Sequence, residues 1–484
     1  MTPPATVRTP AELDRTLVLE VARGRQLVLD PTLLEAMARR RDEVLTALAG
    51  GADVYGVTTG MGALSGTRLA AAEQAIHQHQ LLLGRAVGGP PWLDEVEVRA
   101  LYAVRLRSFL HGDAGVSAEL CQALVDALSG DSVPAVPRTG VGSAGEIIPL
   151  AHAFSPLIGL GQELRDGAVV AAAGSGYSLG AKEGIALLAG LPGVTGLSTL
   201  LAADSRLFAQ QQLAVAAGSI VVAAAARGPY GAATARADPA LAAVLQQLRD
   251  LIGPEPAPRA LQAPLSFRVV GPVLAHLQRA IGQLEDAVDR TLGGVGDSPA
   301  YLDEAFVSTA GFHGADLAGQ LAALSLAVAH AAEVSAARLH RLLDERVTGL
   351  SAQLASRPGP DAGLVVVHKR AVAAVHALRR AAQPSLLGVI ETSGGQEDVQ
   401  SFSWEAAEQL RTVLQLAREV IACEALAVRQ GLHLSPGTVP TGLTGWSAEL
   451  SALVPEIKGD RAFGLDLEVL LAALGRGELV AQPQ

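Results

Sequence analysis

Residues 138–152 of the chain read RTGVGSAGEIIPLAH, the most unusual local sequence in the protein. The six residues from Gly140 to Gly145 satisfy G-x-G-x-x-G, a spacing that marks a dinucleotide-binding turn when it lies between a strand and a helix. The residues just before it contain Pro134 and Pro137, which a central strand does not tolerate. Because no βαβ pattern surrounds the segment, we do not interpret it as a nucleotide site.

Five further segments accompany this one in order along the chain. They are YGVTTGMG (55–62), KEGIALLAG (182–190), FRVVGPV (267–273), STAGFHG (308–314) and SGGQEDVQS (393–401). Together with residues 138–152 they resemble the histidine, phenylalanine and tyrosine ammonia-lyase and aminomutase family over at least residues 50–400. Any one segment alone is a weak signal, whereas the ordered set predicts the fold.

The resemblance implies a mainly α-helical subunit of the ammonia-lyase-like (fumarase/aspartase-like superhelical) fold. It also implies a homotetramer in which each active site is shared between subunits. The electrophile of that family is methylidene-imidazolone, which forms when an internal Ala-Ser-Gly tripeptide cyclises and its serine loses water. The substrate attacks the methylidene carbon of this group.

The sequence departs from the family at this tripeptide. Aligned without gaps, it is Ser143-Ala144-Gly145, and Ala144 in the central position has no hydroxyl to eliminate. A slip of one residue would make Ser143 central, but alanine would then supply the nitrogen where the unhindered glycine is needed. We therefore expect no cofactor, and the N–H groups of the turn could form an anion-binding turn instead.

Three other positions depart in the same way. Ala189 stands where the family usually has an asparagine that helps to hold the prosthetic ring. Leu265 stands where an active-site tyrosine is usual, and Gly311 replaces the asparagine of the family's N-F-H-G. Several changes around the tripeptide favour altered chemistry, whereas a single isolated substitution would have suggested an engineered knockout of the activity.

The family's acid/base tyrosine matches Tyr55, whose phenol needs nearby positive charge or hydrogen bonds to act as a base at neutral pH. A packed tyrosine in a glycine-flanked turn is the alternative. Arg268 matches the arginine that pairs with the substrate carboxylate, which suits a planar guanidinium. A structural salt bridge is its alternative.

Two further pairs complete the candidate site. Gln396 and Glu397 match the family's Q-E-D, with Glu397 against the substrate amine or ring, although a carboxylate that begins a helix is the alternative. Gly84 and Arg85 match the pair that selects the substrate side chain. If Arg85 faces the pocket, it favours a substrate with a second acidic or strongly polar group; otherwise it points elsewhere.

Composition limits the remaining possibilities. The 484 residues are 49% hydrophobic with a net charge of −11, which argues against nucleic-acid or anionic-membrane partners. Two cysteines exclude a disulfide scaffold and fit a cytoplasmic protein. The histidines lack metal-ligand spacing, so we expect no metal, and neither a signal peptide nor a membrane span is predicted.

Alanine, leucine and charged residues at helical spacing predict long helices. The expected ranges are about 196–227, 270–292, 316–344, 366–382 and 404–430. For the last, Ser403 can cap the start and Gly431 is expected to stop the helix. We predict an irregular N-terminal domain (1–200) with the tyrosine loop and the Ser-Ala-Gly turn, and a central helical bundle with a C-terminal helical region (201–484).

The sequence thus predicts a lyase-like enzyme that works without methylidene-imidazolone on an amino-acid-like carboxylate. Elimination, conjugate addition, isomerisation and cyclisation all remain open. One alternative is a conventional ammonia lyase or aminomutase acting on a histidine-like or polar amino acid. The other is a non-catalytic relative that binds a small ligand.

Overall fold

The computed structural model describes residues 3–173, 176–254, 257–388, 390–435 and 437–481. Helices supply most of its regular structure, which confirms the predicted mainly α fold. In chain order they are α1 (Arg15–Ala22), α2 (Pro31–Ala49), α3 (Ala71–Leu83), α4 (Glu95–Leu110), α5 (Ala118–Leu128), α6 (Ile147–Phe154), α7 (Glu183–Leu188), α8 (Pro192–Val222), α9 (Pro239–Ile252), α10 (Leu265–Arg268), α11 (Val270–Gly293), α12 (Ala315–Leu342), α13 (Glu345–Thr348), α14 (Val365–Ala381), α15 (Ser403–Leu434), α16 (Thr444–Leu453) and α17 (Phe463–Gly475).

Short strands form three small sheets in the described part of the chain. The strands are β1 (Ala5–Val7), β2 (Leu27–Leu29), β3 (Val133–Pro134), β4 (Gln162–Arg165), β5 (Ala168–Ala171), β6 (Ala300–Leu302) and β7 (Ala305–Val307). β1 and β2 are parallel, whereas β3-β4-β5 and β6-β7 are antiparallel. None of them precedes the glycine-rich turn as the central strand of a nucleotide-binding fold would.

The chain divides into two compact units. The first contains residues 1–201, 284–321 and 384–408, and the second contains 202–283, 322–383 and 409–484. A single boundary near residue 200 therefore does not describe the division, because two later segments join the N-terminal residues. One of the contacts that hold them there is the ion pair between Arg15 and Glu285, at 3.0 Å.

In the first unit, α4 is the central helix and packs against α1 and α5. Its residues from Ala100 to Leu106 are buried on every side, which is the pattern of an internal helix. The first turns of α8 approach it closely: a Cβ on Gly196 would lie 2.9 Å from the backbone nitrogen of Leu101. Glycine is therefore needed where these two backbones meet.

In the second unit, a buried ionic cluster joins three long helices. Glu424 of α15 accepts hydrogen bonds from Ser219 of α8 at 2.6 Å and from Arg338 of α12 at 2.7 Å. Ser335, also on α12, bonds the second carboxylate oxygen. Because every donor is paired with this carboxylate, the buried charges are compensated within the helical core.

The five long predicted helices correspond to α8, α11, α12, α14 and α15. Helix α15 begins at Ser403 as expected, but it continues to Leu434, so the prediction that Gly431 stops it is wrong. A Cβ on Gly431 would lie only 2.5 Å from Cγ1 of Val222. This glycine permits close packing of two helices and does not end one.

Two segments, Glu183–Val222 and Ala315–Leu342, are long and apolar enough to span a membrane by length and composition alone. In the folded chain 89% and 67% of their apolar windows are buried. Burial of this kind is what core helices of a globular fold show. The segments therefore give only weak support for a membrane-spanning role.

Two helical glycines of the second unit provide a matched test of this packing. Gly431→Ala should lower the free energy of unfolding by about 1–3 kcal/mol, because the new methyl group meets Val222. Gly282→Ala in α11 has open space around its Cβ and should raise stability by up to about 1 kcal/mol. Urea unfolding measures both; equal stability of Gly431→Ala and the wild type would contradict the close packing.

Candidate functional site

A cavity of about 440 Å³ in the first unit brings together most of the predicted site. Segments that lie far apart in sequence form its walls: the tyrosine loop, the Ser-Ala-Gly turn, the end of α7, and the loops before α12 and α15. The predicted residues that line it are Tyr55, Ala144, Gly145, Ala189, Gln396 and Glu397.

Tyr55 lies half-buried in the loop between α2 and α3. Its hydroxyl oxygen accepts a hydrogen bond of 2.8 Å from the backbone N–H of Gly62. Gly62 has a φ of +58°, a conformation that glycine adopts easily. The glycines of this loop thus fold the backbone around the tyrosine while its hydroxyl stays at the cavity wall.

The Ser-Ala-Gly turn precedes α6, with Gly142 at φ +45° and Gly145 at φ +89°. The backbone N–H of Ala144 donates a 2.9 Å hydrogen bond to Oε2 of Glu397. One N–H of the turn thus bonds a carboxyl group from the chain itself. Ala144, at the central position of the ungapped tripeptide, carries a methyl group with no hydroxyl to lose as water.

Glu397 is held by three neutral donors in the described structure. Besides Ala144, the hydroxyls of Thr392 and Ser393 bond its carboxylate at 3.2 and 3.0 Å. Glu397 thus fixes the loop before α15 to the Ser-Ala-Gly turn and still lines the cavity. Its neighbour Gln396 is exposed. Contact of either residue with a substrate stays a prediction.

Glu146, which follows Gly145 of the Ser-Ala-Gly turn, is almost completely buried. Its carboxylate accepts hydrogen bonds from the N–H groups of Gly193 (2.7 Å) and Val194 (2.6 Å), which lie in the first turn of α8. These bonds and the positive helix end favour the charged form. Burial has the larger effect and raises the pKa of Glu146 to about 7.

Arg105 of α4 holds the backbone at the end of α7, where Ala189 lines the cavity. Its Nη2 donates to the carbonyl oxygens of Ala189 and Leu187. The guanidinium lies over the rings of Phe109 and Phe154, 5.1 and 5.6 Å from their centroids. Burial lowers the pKa of Arg105 to about 10, so the group remains charged at neutral pH. Ala189 is thus fixed through its backbone and brings only a methyl group.

Gly311 lies in a part of the chain where no side chain fits. A Cβ at this position would be 1.9 Å from the carbonyl oxygen of Val295. The backbone around position 311 therefore leaves no room for the asparagine that the resemblance predicts there. The amide that the family places here is excluded by the present conformation.

Arg85 and Gly84 follow α3 and do not line the cavity of this chain. The Nη2 of Arg85 lies 3.5 Å from Sδ of Met61, which does line it. Burial lowers the pKa of Arg85, and its interaction with Tyr55 opposes that shift. Arg85 is therefore electrostatically coupled to the tyrosine, and a direct contact with substrate stays a prediction.

Leu265 and Arg268 belong to the second unit and do not line the cavity either. The Leu265 side chain is exposed, with 64% of its surface accessible. Arg268 donates to Oε1 of Gln262 at 3.2 Å and, among the described residues, has no carboxylate partner. The alternative of a structural salt bridge for Arg268 thus finds no support within the described chain.

Sequence reasoning gave no role to several residues that do line the cavity. They include Phe312 and His313 of the STAGFHG segment, and Ser298, Ser308 and Thr309. The segment itself was recognisable, but only its substituted glycine suggested a function. Among the described residues, no three His, Cys, Asp or Glu side chains form a group that could hold a metal ion.

The buried Glu146 carboxylate predicts a specific pH dependence. Its pKa in the folded chain, about 7, exceeds the ordinary value, so its stabilising contribution is complete at low pH and is lost as the pH rises through about 7. From pH 4 to pH 8, the stability of the wild type relative to Glu146→Gln should fall by roughly 3 kcal/mol. Chemical denaturation of both proteins across this range measures the difference; a flat difference would show that folding leaves the pKa of Glu146 at its ordinary value.

Comparisons with known proteins agree with this geometry. The sequence profile described as "Aromatic amino acid lyase" matches residues 13–454. A histidine ammonia-lyase of Deinococcus radiodurans is 32% identical, covering 98% of this chain and 95% of the relative. One from Streptomyces coelicolor is 33% identical, covering 96% and 95%.

Solved structures show the same fold. The ergothioneine-degrading enzyme ergothionase of Treponema denticola superposes with a TM-score of 0.93 at 21% identity, over 99% of both chains. Tyrosine aminomutase of Streptomyces globisporus gives 0.92 at 25% identity, over 98% of this chain and 97% of the other. With the fold, the ordered motifs and the family profile in agreement, the chain is an enzyme of the aromatic amino acid lyase family.

Proposed function

We propose that this enzyme eliminates a leaving group from an amino-acid-like carboxylate without methylidene-imidazolone or any other cofactor. The observation that carries the proposal is the environment of Ala144. Its side chain lacks the hydroxyl that would become the methylidene, and its backbone N–H is bound to Glu397. The substitutions at Ala189 and Gly311 support the same conclusion.

Without an electrophile, a plain α-amino group is a poor leaving group. A quaternary ammonium leaves as a neutral amine and needs no such activation. The lining of the cavity suits this cation, since two aromatic residues, Tyr55 and Phe312, and the acidic Glu397 line the same cavity. The structural neighbour ergothionase degrades ergothioneine, which makes that compound a natural first probe.

In the proposed reaction the Tyr55 phenolate removes a proton from Cβ of the substrate. The electron pair of that C–H bond becomes the Cα–Cβ double bond, and the bond to nitrogen breaks with its pair on the amine. The products are an unsaturated carboxylate, a neutral amine and the protonated tyrosine. Gly62, whose N–H donates to the tyrosine oxygen at 2.8 Å, would stabilise the phenolate.

Arg268 would pair with the substrate carboxylate from a second copy of the chain in a homotetramer. Three observations support this arrangement: Arg268 does not line the cavity of its own chain, it has no carboxylate partner among the described residues, and neighbouring apolar side chains are exposed. Leu261 and Leu265 are 94% and 64% accessible. Such apolar exposure favours an interface with another subunit. We propose a cytoplasmic location for the assembly.

The curated relatives favour a second candidate, a conventional ammonia lyase acting on histidine or a similar amino acid. It requires methylidene-imidazolone built on the slipped tripeptide around Ser143. A non-catalytic relative that only binds such acids is the third candidate. A mass measurement and a turnover measurement together distinguish these three candidates.

The mass of the protein distinguishes the first two candidates. Cyclisation and dehydration would remove two water molecules from the chain, so we expect the intact mass to equal that of the encoded sequence. Mass spectrometry of the peptide containing residues 142–146 provides the local measurement. A two-water deficit in this peptide would overturn the proposal and restore the conventional ammonia lyase.

Turnover distinguishes an enzyme from a binder. The wild type should release amine from ergothioneine or from the trimethylammonium derivative of histidine, phenylalanine or tyrosine, and not from the parent amino acids. Tyr55→Phe should lower kcat by about 10²–10⁴-fold because the proton acceptor is lost. Amine release by Tyr55→Phe at the wild-type rate would exclude Tyr55 as the base. Saturable binding of these compounds with no turnover by the wild type would identify a binding protein.

A further inference from the structure

A second cavity, of about 260 Å³, lies in the first unit and contains none of the residues proposed for catalysis. The middle of α4, the start of α8, the end of α11 and the start of α12 form its walls. The cavity shares Gly190 with the candidate active site but has a separate set of polar groups.

The most buried charged group of the lining is Arg105, of whose surface only 2% is accessible. Its Nη2 bonds two backbone carbonyls, and its Nε has no hydrogen-bond partner among the described residues. Asp297 and Glu146 act on its charge from a distance and do not hydrogen-bond it within the described chain. A buried guanidinium without a bound carboxylate attracts an anion.

The outer wall carries a second arginine. Arg290 is paired with Asp316 at 2.7 Å, and these side chains are 58% and 50% accessible. Together with Arg105, the charged groups of the lining sum to one positive charge. A net charge of this size favours a monoanion over a dianion.

The remaining walls are partly apolar, from Val104, Leu191 and Val295. Ser108 also lines the cavity, and its hydroxyl donates to the backbone carbonyl oxygen of Arg105 at 2.8 Å. We propose that this cavity is a binding site for a small monocarboxylate, with its carboxylate toward Arg105 and its short carbon chain against the apolar wall. The proposal rests on these groups alone and does not depend on the reaction proposed for the first cavity.

Propionate is a suitable probe, and propionamide is its neutral isostere. At constant ionic strength, propionate should raise the melting temperature of the full-length protein saturably, because it binds the folded state. Propionamide should have no such effect, and phosphate should have less effect than propionate. An equal response to propionate and propionamide would overturn the proposal.

Three variants locate the response in the second cavity, and none alters a residue that lines the first. Ser108→Leu should abolish it by filling the site. Arg290→Gln should weaken the apparent affinity roughly threefold to tenfold, and Asp316→Asn should strengthen it by a similar factor.

The matched control is Arg279→Gln, which breaks an exposed ion pair of similar length, 3.1 Å, in the second unit. It should leave the propionate response unchanged. An undiminished response in both Ser108→Leu and Arg290→Gln would place propionate elsewhere and refute this site.

Discussion

The candidate site depends on one interaction: the carboxylate of Glu146 accepts hydrogen bonds from the backbone N–H groups at the start of α8. Glu146 follows the Ser-Ala-Gly turn directly, so the turn is tied to the first residues of a 31-residue helix. At the other end of the segment, the indole N–H of Trp404 donates to the carbonyl oxygen of Arg138 at 2.8 Å. The intervening residues are thereby held at both ends, and Ala144 between them lines the cavity.

Trp404 and Glu146 also explain why Gly193 is required. A Cβ at Gly193 would lie 2.3 Å from the indole ring and 2.8 Å from the Glu146 carboxylate. Helix α8, the turn and the start of α15 therefore meet at one point of the first unit. The same packing buries Glu146, and this burial raises its pKa.

The long helices could be predicted because a helical period of apolar residues is a local property of sequence. Tyr55, Ala144 and Glu397 could be brought together only through the family resemblance, since no local rule joins positions so distant in the chain. The sequence predicts the wrong role for Gly431, because a glycine that ends a helix and a glycine that permits close packing look alike in sequence. Only the position of Val222 distinguishes the two roles. The hydrogen bond from Ala144 to Glu397 was also beyond sequence reasoning, although an anion at this turn was expected.

The close approach of Gly311 to the Val295 carbonyl limits which substitutions the chain can accept at this position. Introducing a serine at position 144 needs one new hydroxyl, but introducing an amide side chain at 311 needs the backbone at 295 to move first. A side chain introduced at 311 before that movement would clash with the carbonyl oxygen of Val295. At position 311, therefore, a single substitution cannot introduce a side chain unless the main chain at 295 shifts as well.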